Sequence, residues 1–229
     1  MLCHVLRLGL RPYDEAWEIQ RCLCLKRLKE EVPDALLLVE HPPTITVGKS
    51  GKTANILASG EELDRRGVSL FFTDRGGDVT YHGPGQLVIY PIVDLRQRGR
   101  DIHAFVHDLE EVVIRTLAGF CISGTRNAHA GVWVENRQIA AIGIAVRRWV
   151  TMHGIALNVS PDPTHFGLIN PCGTAGTPVT SVCELARQDG SSDTVTDGVM
   201  GAVADGVVAE FAAVFGAFME ETTAEGKLM

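Results

Sequence analysis

No apolar run in the 229 residues approaches the length of a membrane span, and the N-terminus lacks a charged start leading into a long apolar stretch. Lysine and arginine form no stripe, and the formal net charge is -7. Nucleic-acid binders need clustered cations to displace counterions, so that class is set aside, as is a membrane role. The six cysteines, Cys3, Cys22, Cys24, Cys121, Cys172 and Cys183, repeat no metal-ligand spacing, and Cys22-x-Cys24 is too close for the usual CxxC clip. With no secretion signal they read as reduced thiols in a cytosol-like, cytoplasmic setting, most of them small core residues. The loop Gly48-Lys49-Ser50-Gly51-Lys52 lacks the GxxxxGK[ST] spacing of a phosphate loop and reads as a solvated turn. No repeat and no low-complexity linker divides the chain. Residues 1–219 therefore read as one domain, with 220–229 as a frayed tail.

What is present alternates strand and helix signals. Leu2 to Leu8 reads as an opening strand. Pro12 can begin a helix, with Asp14 and Glu15 in its first turn, and Tyr13, Ala16, Trp17, Cys24 and Leu28 share one face before Pro33 ends the element. Ala35 to Val39 and Thr44 to Val47 read as strands broken by His41-Pro42-Pro43. Ser59 and Glu62 have capping-box spacing ahead of a short helix ending at Gly67. Asp101 caps a helix whose apolar face runs from Ile102 to Leu117, stopped by Gly119. Val132–Val134, Gln138–Val146 and Thr151–Val159 form an expected antiparallel meander. Val195 to Phe218 reads as a late amphipathic helix. The class is α+β (mixed α/β), a mixed sheet packed by helices.

The stretch Arg75-Gly76-Gly77-Asp78-Val79-Thr80-Tyr81-His82-Gly83-Pro84-Gly85-Gln86 lies between two apolar runs, Val68–Phe72 and Leu87–Ile92. Gly76-Gly77 permits close backbone approach to a bound group, and Gly83-Pro84-Gly85 sets a tight turn. Arg75, Tyr81, His82 and Gln86 crowd polar groups onto a segment otherwise built for burial. They must satisfy one another or meet a ligand. Cys172 lies in a loop rich in glycine and proline, Gly167 to Pro178. Such a thiol is either a nucleophile or an ordinary loop cysteine, and alone it favours the second.

Arg75 to Pro91, RGGDVTYHGPGQLVIYP, resembles the signature of the lipoyl(octanoyl) transferases of lipoate biosynthesis. In the same order the chain carries Leu38-Val39-Glu40-His41-Pro42, Gly131-Val132-Trp133-Val134, Ala140-Ala141-Ile142-Gly143, His153-Gly154-Ile155-Ala156-Leu157-Asn158 and Asn170-Pro171-Cys172-Gly173. Together these matches span about Leu8 to Leu185. The resemblance implies the fold of biotin and lipoate ligase catalytic domains. It also implies transfer of an octanoyl group from octanoyl-acyl carrier protein to a lysine of lipoyl domains. Those of 2-oxoacid dehydrogenase complexes and of the glycine cleavage H protein would be the acceptors, and the enzyme a monomer. Cys172 matches the acyl-accepting cysteine. Arg75 to His82, Ala141 to Gly143 and Gly154 to Ala156 match the substrate-contacting segments. No metal, ATP or other cofactor would be needed, because the incoming thioester is already activated. Backbone N–H groups of the glycine-rich segments could stabilise the developing oxyanion. His82 or His153 could orient or donate, whereas His41 reads as structural.

One position departs from the resemblance. The family carries a lysine where this chain has Gln138, and no lysine occurs between Lys52 and Lys227. A glutamine amide can hydrogen-bond but cannot titrate. Arg137 beside it faces the other way on a strand and is no base. Three readings remain: an active transferase using His82, His153 or Lys49 for proton transfer; a weakened form that still holds acyl chains; and a non-catalytic acyl- or lipoyl-domain-binding homologue. An ATP-dependent lipoate-protein ligase is a further alternative, disfavoured by Cys172 and the missing phosphate loop.

Overall fold

The strand and helix signals resolve, in chain order, into β1 (Leu2–Leu10), α1 (Tyr13–Leu28), β2 (Asp34–Glu40), β3 (Thr44–Val47), α2 (Gly60–Arg65), β4 (Ser69–Phe72), β5 (Val79–His82), β6 (Gln86–Ile92), α3 (Ile102–Ala118), β7 (Gly131–Val134), β8 (Arg137–Arg147), β9 (Val150–Asn158), α4 (Val182–Gln188), α5 (Val199–Phe215) and β10 (Phe218–Glu221). The computed structural model describes residues 1–173, 176–188 and 198–223, with the backbone alone at Cys172 and Gln188. A seven-stranded sheet runs β10-β1-β2-β6-β9-β8-β7, and a three-stranded sheet runs β4-β3-β5. β1 is parallel to β2 and β10, and the other neighbours in the large sheet are antiparallel. In the small sheet β3 is parallel to β4 and antiparallel to β5.

α3 and α5 cover one face of the large sheet, where Leu109, Val113, Val207 and Phe211 meet Leu87, Ile89, Ile155 and Leu157. α1 covers part of the other face, closing Ala16, Leu23 and Cys24 on Ile92, Met152 and Ala145. β6 is therefore buried on both sides, which is why Leu87 to Tyr90 is an unbroken apolar run rather than an alternating one. The expected caps form: Ser59 Oγ accepts from Glu62 N at 3.2 Å, and Asp101 Oδ1 accepts from Ala104 N at 2.9 Å. α1 ends at Leu28, short of Pro33, because the chain turns at Glu30, whose φ is 63°. Beyond it, the buried Arg27 guanidinium bonds Asp34 at 2.7 Å and lies 3.4 Å from Asp94.

The late helix differs from expectation at its end. Gly216 takes φ 59° and stops α5 at Phe215. Phe218 belongs instead to β10, which pairs in parallel with Leu2–Val5. The open edge of β1 offers ladder hydrogen bonds that a helical pattern does not reveal. Glu220 and Glu221, assigned to the frayed tail, are part of that strand. Residues 195–197 and 224–229 lie outside the described residues.

Rings fill the gap where α1 meets the two sheets. The Tyr13 centroid lies 5.2 Å from His41, 5.2 Å from Phe71 and 5.9 Å from His82. His41 Nδ1 donates to the Arg11 carbonyl at 2.7 Å, so its Nε2 accepts from the Tyr90 hydroxyl at 2.8 Å. Burial pushes the His41 pKa down to about 4. Burial, then repulsion from His41, pushes that of His82 down to about 3. Both are neutral in the fold, whereas an unfolded histidine titrates near 6.5. The unfolded chain therefore binds more protons below that value. Stability is complete above about pH 6.5 and falls as the solution is acidified. Between pH 6.5 and 5 each histidine is expected to remove about 2 kcal/mol. Urea denaturation across that range reads the slope, and His41→Asn should flatten it; equal slopes in the variant and the parent would mean His41 is not held neutral.

Candidate active site

α1 leaves uncovered the part of the sheet face formed by Val88, Ala156 and Ala141, and by Tyr90, Gly154 and Gly143 further along the same strands. The glycine-rich stretch stands opposite. Between them lies a cleft. Arg75, Gly77, Asp78, Val79, Thr80, His82, Ala141, Ile142, Gly143, Gly154, Ile155 and Ala156 all line it, as the sequence reading grouped them. Gly76 and Tyr81 do not. Gly76 turns toward β8, donating its N–H to the Ile144 carbonyl at 2.8 Å. Strand alternation turns Tyr81 to the other face of β5, where its hydroxyl meets His165 Nδ1 at 2.6 Å. Tyr13, Val88, Tyr90 and His153 complete the lining, of which Tyr13 and Tyr90 carry no local signal for the role.

Arg75 holds the cleft wall in shape. Its Nε donates to Thr46 Oγ1 at 3.1 Å, its Nη2 to the Thr46 and Asp78 carbonyls at 2.7 Å each, and its Nη1 to the Gly76 carbonyl at 3.0 Å. The guanidinium thus folds residues 75–78 against β3. The 48–52 loop joins the same wall, with Lys49 N donating to Arg75 O at 2.9 Å and Ser50 N to Gly77 O at 3.2 Å; the Lys49 side chain is exposed at the rim. Gly143 must be glycine for this packing, since a Cβ there would lie 2.9 Å from the Gly76 carbonyl oxygen.

A polar chain runs from His82, a cleft residue, into the protein. The Gln86 amide nitrogen donates to Asn158 Oδ1 at 2.9 Å and to the Tyr81 carbonyl at 3.2 Å, which leaves Gln86 Oε1 to accept from His82 Nδ1 at 2.9 Å. His82 Nε2 then faces the Thr46 hydroxyl at 3.4 Å. Both ring nitrogens are engaged, so His82 is not poised to shuttle protons. Asn158 Nδ2 donates onward to the Thr180 carbonyl at 3.1 Å. Thr180 N in turn donates to Gln138 O at 3.0 Å, and Gln138 N donates to Pro178 O at 2.9 Å. The loop that carries Cys172 is thereby anchored at this end.

The sequence candidates Cys172 and Gln138 flank the cleft from that side. In the turn Pro171–Gly173, Gly173 N donates to Asn170 O at 3.1 Å, and Asn170 N to Asn55 O at 2.8 Å. Asn55 Nδ2 donates to Asp78 Oδ2 at 2.7 Å, and a Cβ on Gly173 would lie 2.5 Å from that oxygen. The turn therefore abuts Asp78, a cleft residue. The Cys172 side chain lies outside the described residues. At β7–β8 a bulge pairs Val132 with Ala140 and Trp133 with Gln138. It lets Ile139 and Ala140 both enter the core beneath α3 and α5. That turns Gln138 to the cleft side of the sheet, where its Nε2 lies over Gly131. Gln138 is buried, and among the described residues its Nε2 has no hydrogen-bond partner. Arg137 points elsewhere, pairing with Glu184 at 2.6 Å.

His153 sits at the opposite end. Pro91 lies in the middle of the large sheet and offers no N–H, and the ladder between β6 and β9 stops at Ile89 with Ile155. His153 takes φ 56°, and its freed N–H donates to Gln20 Oε1 at 2.8 Å, while the Thr151 hydroxyl donates to the Pro91 carbonyl at 2.6 Å. The His153 Nε2 hydrogen bond to Asp74, 2.7 Å, holds that carboxyl below its ordinary pKa. Its Nδ1 meets the Tyr13 hydroxyl at 3.4 Å. A proline inside an apolar run was the available sequence sign of this interruption.

The family model described as lipoyl protein ligase A/B catalytic domain matches residues 12–204. A protein named octanoyltransferase from Rubrobacter xylanophilus is 51% identical over 184 residues, 79% of this chain and 82% of that protein. A bi-partite lipoate protein ligase from Thermoplasma acidophilum superposes with a TM-score of 0.67 at 15% identity, covering 100% of this chain and 89% of that one. A biotin protein ligase from Aquifex aeolicus has a TM-score of 0.51 at 11% identity, covering 94% and 70%. The last two show a shared fold, whereas the family match and the octanoyltransferase show kinship: the chain belongs to the lipoyl protein ligase A/B catalytic domain family.

Proposed function

We propose that the chain is an octanoyltransferase that passes an octanoyl group from octanoyl-acyl carrier protein, through a Cys172 thioester, to the lysine of lipoyl domains. The observation that carries the chemistry is the contact of the Pro171–Gly173 turn with Asp78, which brings the cysteine's backbone to the wall of a largely apolar cleft. The kinship with proteins named octanoyltransferase supports the choice of acyl group. In the first step the Cys172 thiolate adds to the donor carbonyl, and the carrier thiolate leaves. In the second, the neutral lysine amine adds to the Cys172 thioester. An amide forms, the Cys172 thiolate leaves, and the amine gives up a proton.

Gln138 supplies no charge to this exchange. Its Nε2, on the cleft side of the sheet and without a hydrogen-bond partner among the described residues, is a donor available to the thioester oxygen. With both His82 nitrogens engaged and His153 at the far end, the amine proton goes to solvent at the mouth. Transfer is then slower than a titrating group at position 138 would make it.

Intact mass spectrometry after incubation with octanoyl-carrier protein is expected to show an octanoyl adduct on the wild type and none on Cys172→Ser. An undiminished adduct in the variant would remove Cys172 from the pathway. Gln138→Lys is expected to raise the single-turnover rate onto a lipoyl domain by about tenfold or more. An unchanged rate would mean that proton removal does not limit the second step.

A further inference from the structure

We propose that Tyr13 closes the tail end of the cleft and sets the acyl-chain length the protein accepts. This rests on the transferase reading for one point, that the reacting end is the Cys172 end.

The loop carrying Cys172 is anchored through Thr180 beside Asn158, which pairs with Gln86 at the start of β6. Tyr13 lines the cleft where α1 begins, its hydroxyl meeting His153 and its ring packing against His82 and His41.

Tyr13 is the residue that ends this space, for a topological reason. It is the first residue of α1, and past it the same sheet face is roofed by the helix, with Ala16, Leu23 and Cys24 packed on Ile92, Met152 and Ala145. The other walls at that end are strand residues fixed within the sheets. Tyr13 alone enters from outside them, and its side chain is 2% exposed. Its backbone is held by the bond from His41 to the Arg11 carbonyl and by Arg11 N donating to Glu40 O at 2.9 Å. A change in ring size therefore changes the length of the cleft rather than the position of the helix.

The test loads carrier protein with hexanoyl, octanoyl, decanoyl or dodecanoyl chains and measures the rate of Cys172 acylation by intact mass. Tyr13→Ala is expected to raise the dodecanoyl-to-octanoyl rate ratio by about tenfold or more, Tyr13→Trp to raise the hexanoyl-to-octanoyl ratio, and Tyr13→Phe to leave the order of preference as in the wild type. The same series of free fatty acids, followed by thermal shift, reads chain length without any transfer. If the wild type is acylated by no donor, the transferase reading fails, and the thermal shifts still decide the role of Tyr13. Length preferences that coincide in the folded Ala, Phe and Trp variants would overturn it. Should Tyr13→Ala not fold, Trp and Phe suffice for the comparison.

Discussion

One guanidinium organises the cleft. The segment 75–78 has no regular ladder of its own, and its Arg75, Gly77 and Asp78 carbonyls take donors from the 48–50 backbone. The Arg75 side chain bonds the Gly76 and Asp78 carbonyls and ties them to the carbonyl and hydroxyl of Thr46. A charge taken out of water is tolerable only with such saturation. The planar fork of arginine, with five N–H groups, can provide it where an ammonium could not. Once the segment is held, Gly76 reaches β8, the 48–52 loop follows, and Asp78 is placed where the Pro171–Gly173 turn meets it. The sequence reading assigned Arg75 to substrate contact. Its donors to Thr46, Gly76 and Asp78 make it first a builder of the wall that substrate would touch.

The opposite wall depends on an interruption. A continuous ladder through Pro91 is impossible, and opposite it His153 turns to a left-handed φ of 56°. The hydrogen bonds lost there are replaced by side chains, Thr151 for the proline carbonyl and Gln20 for the freed amide. Left-handed φ at a non-glycine residue costs about 1–2 kcal/mol, and the Asp74, Gln20 and Tyr13 contacts hold the residue in it. His153 lines the cleft beside Tyr13, at the break in the ladder.

Position 138 joins the two halves of the proposed chemistry. Its backbone anchors the loop of Cys172, and its side-chain amide lies on the cleft side of the sheet. Among the described residues its buried Nε2 has no hydrogen-bond partner, which is unfavourable by roughly 1–3 kcal/mol unless another group satisfies it.

By itself the sequence determined the local elements and the grouping of the site. Period-two and period-3.6 patterns, Ser59 and Asp101 as caps, and the glycine-rich stretch all act within a few residues, so their physics is visible in order along the chain. The strand β10 was missed, its first residue read as helix and its last two as tail, because an open edge on β1, more than two hundred residues away in sequence, decided it. Tertiary structure alone decided that Arg75 bonds Thr46, that Tyr81 faces away while Tyr13 faces in, and that the bulge turns Gln138 to the cleft side. Each of these depends on which surfaces exclude water together, and burial between distant segments has no period that a linear reading can detect.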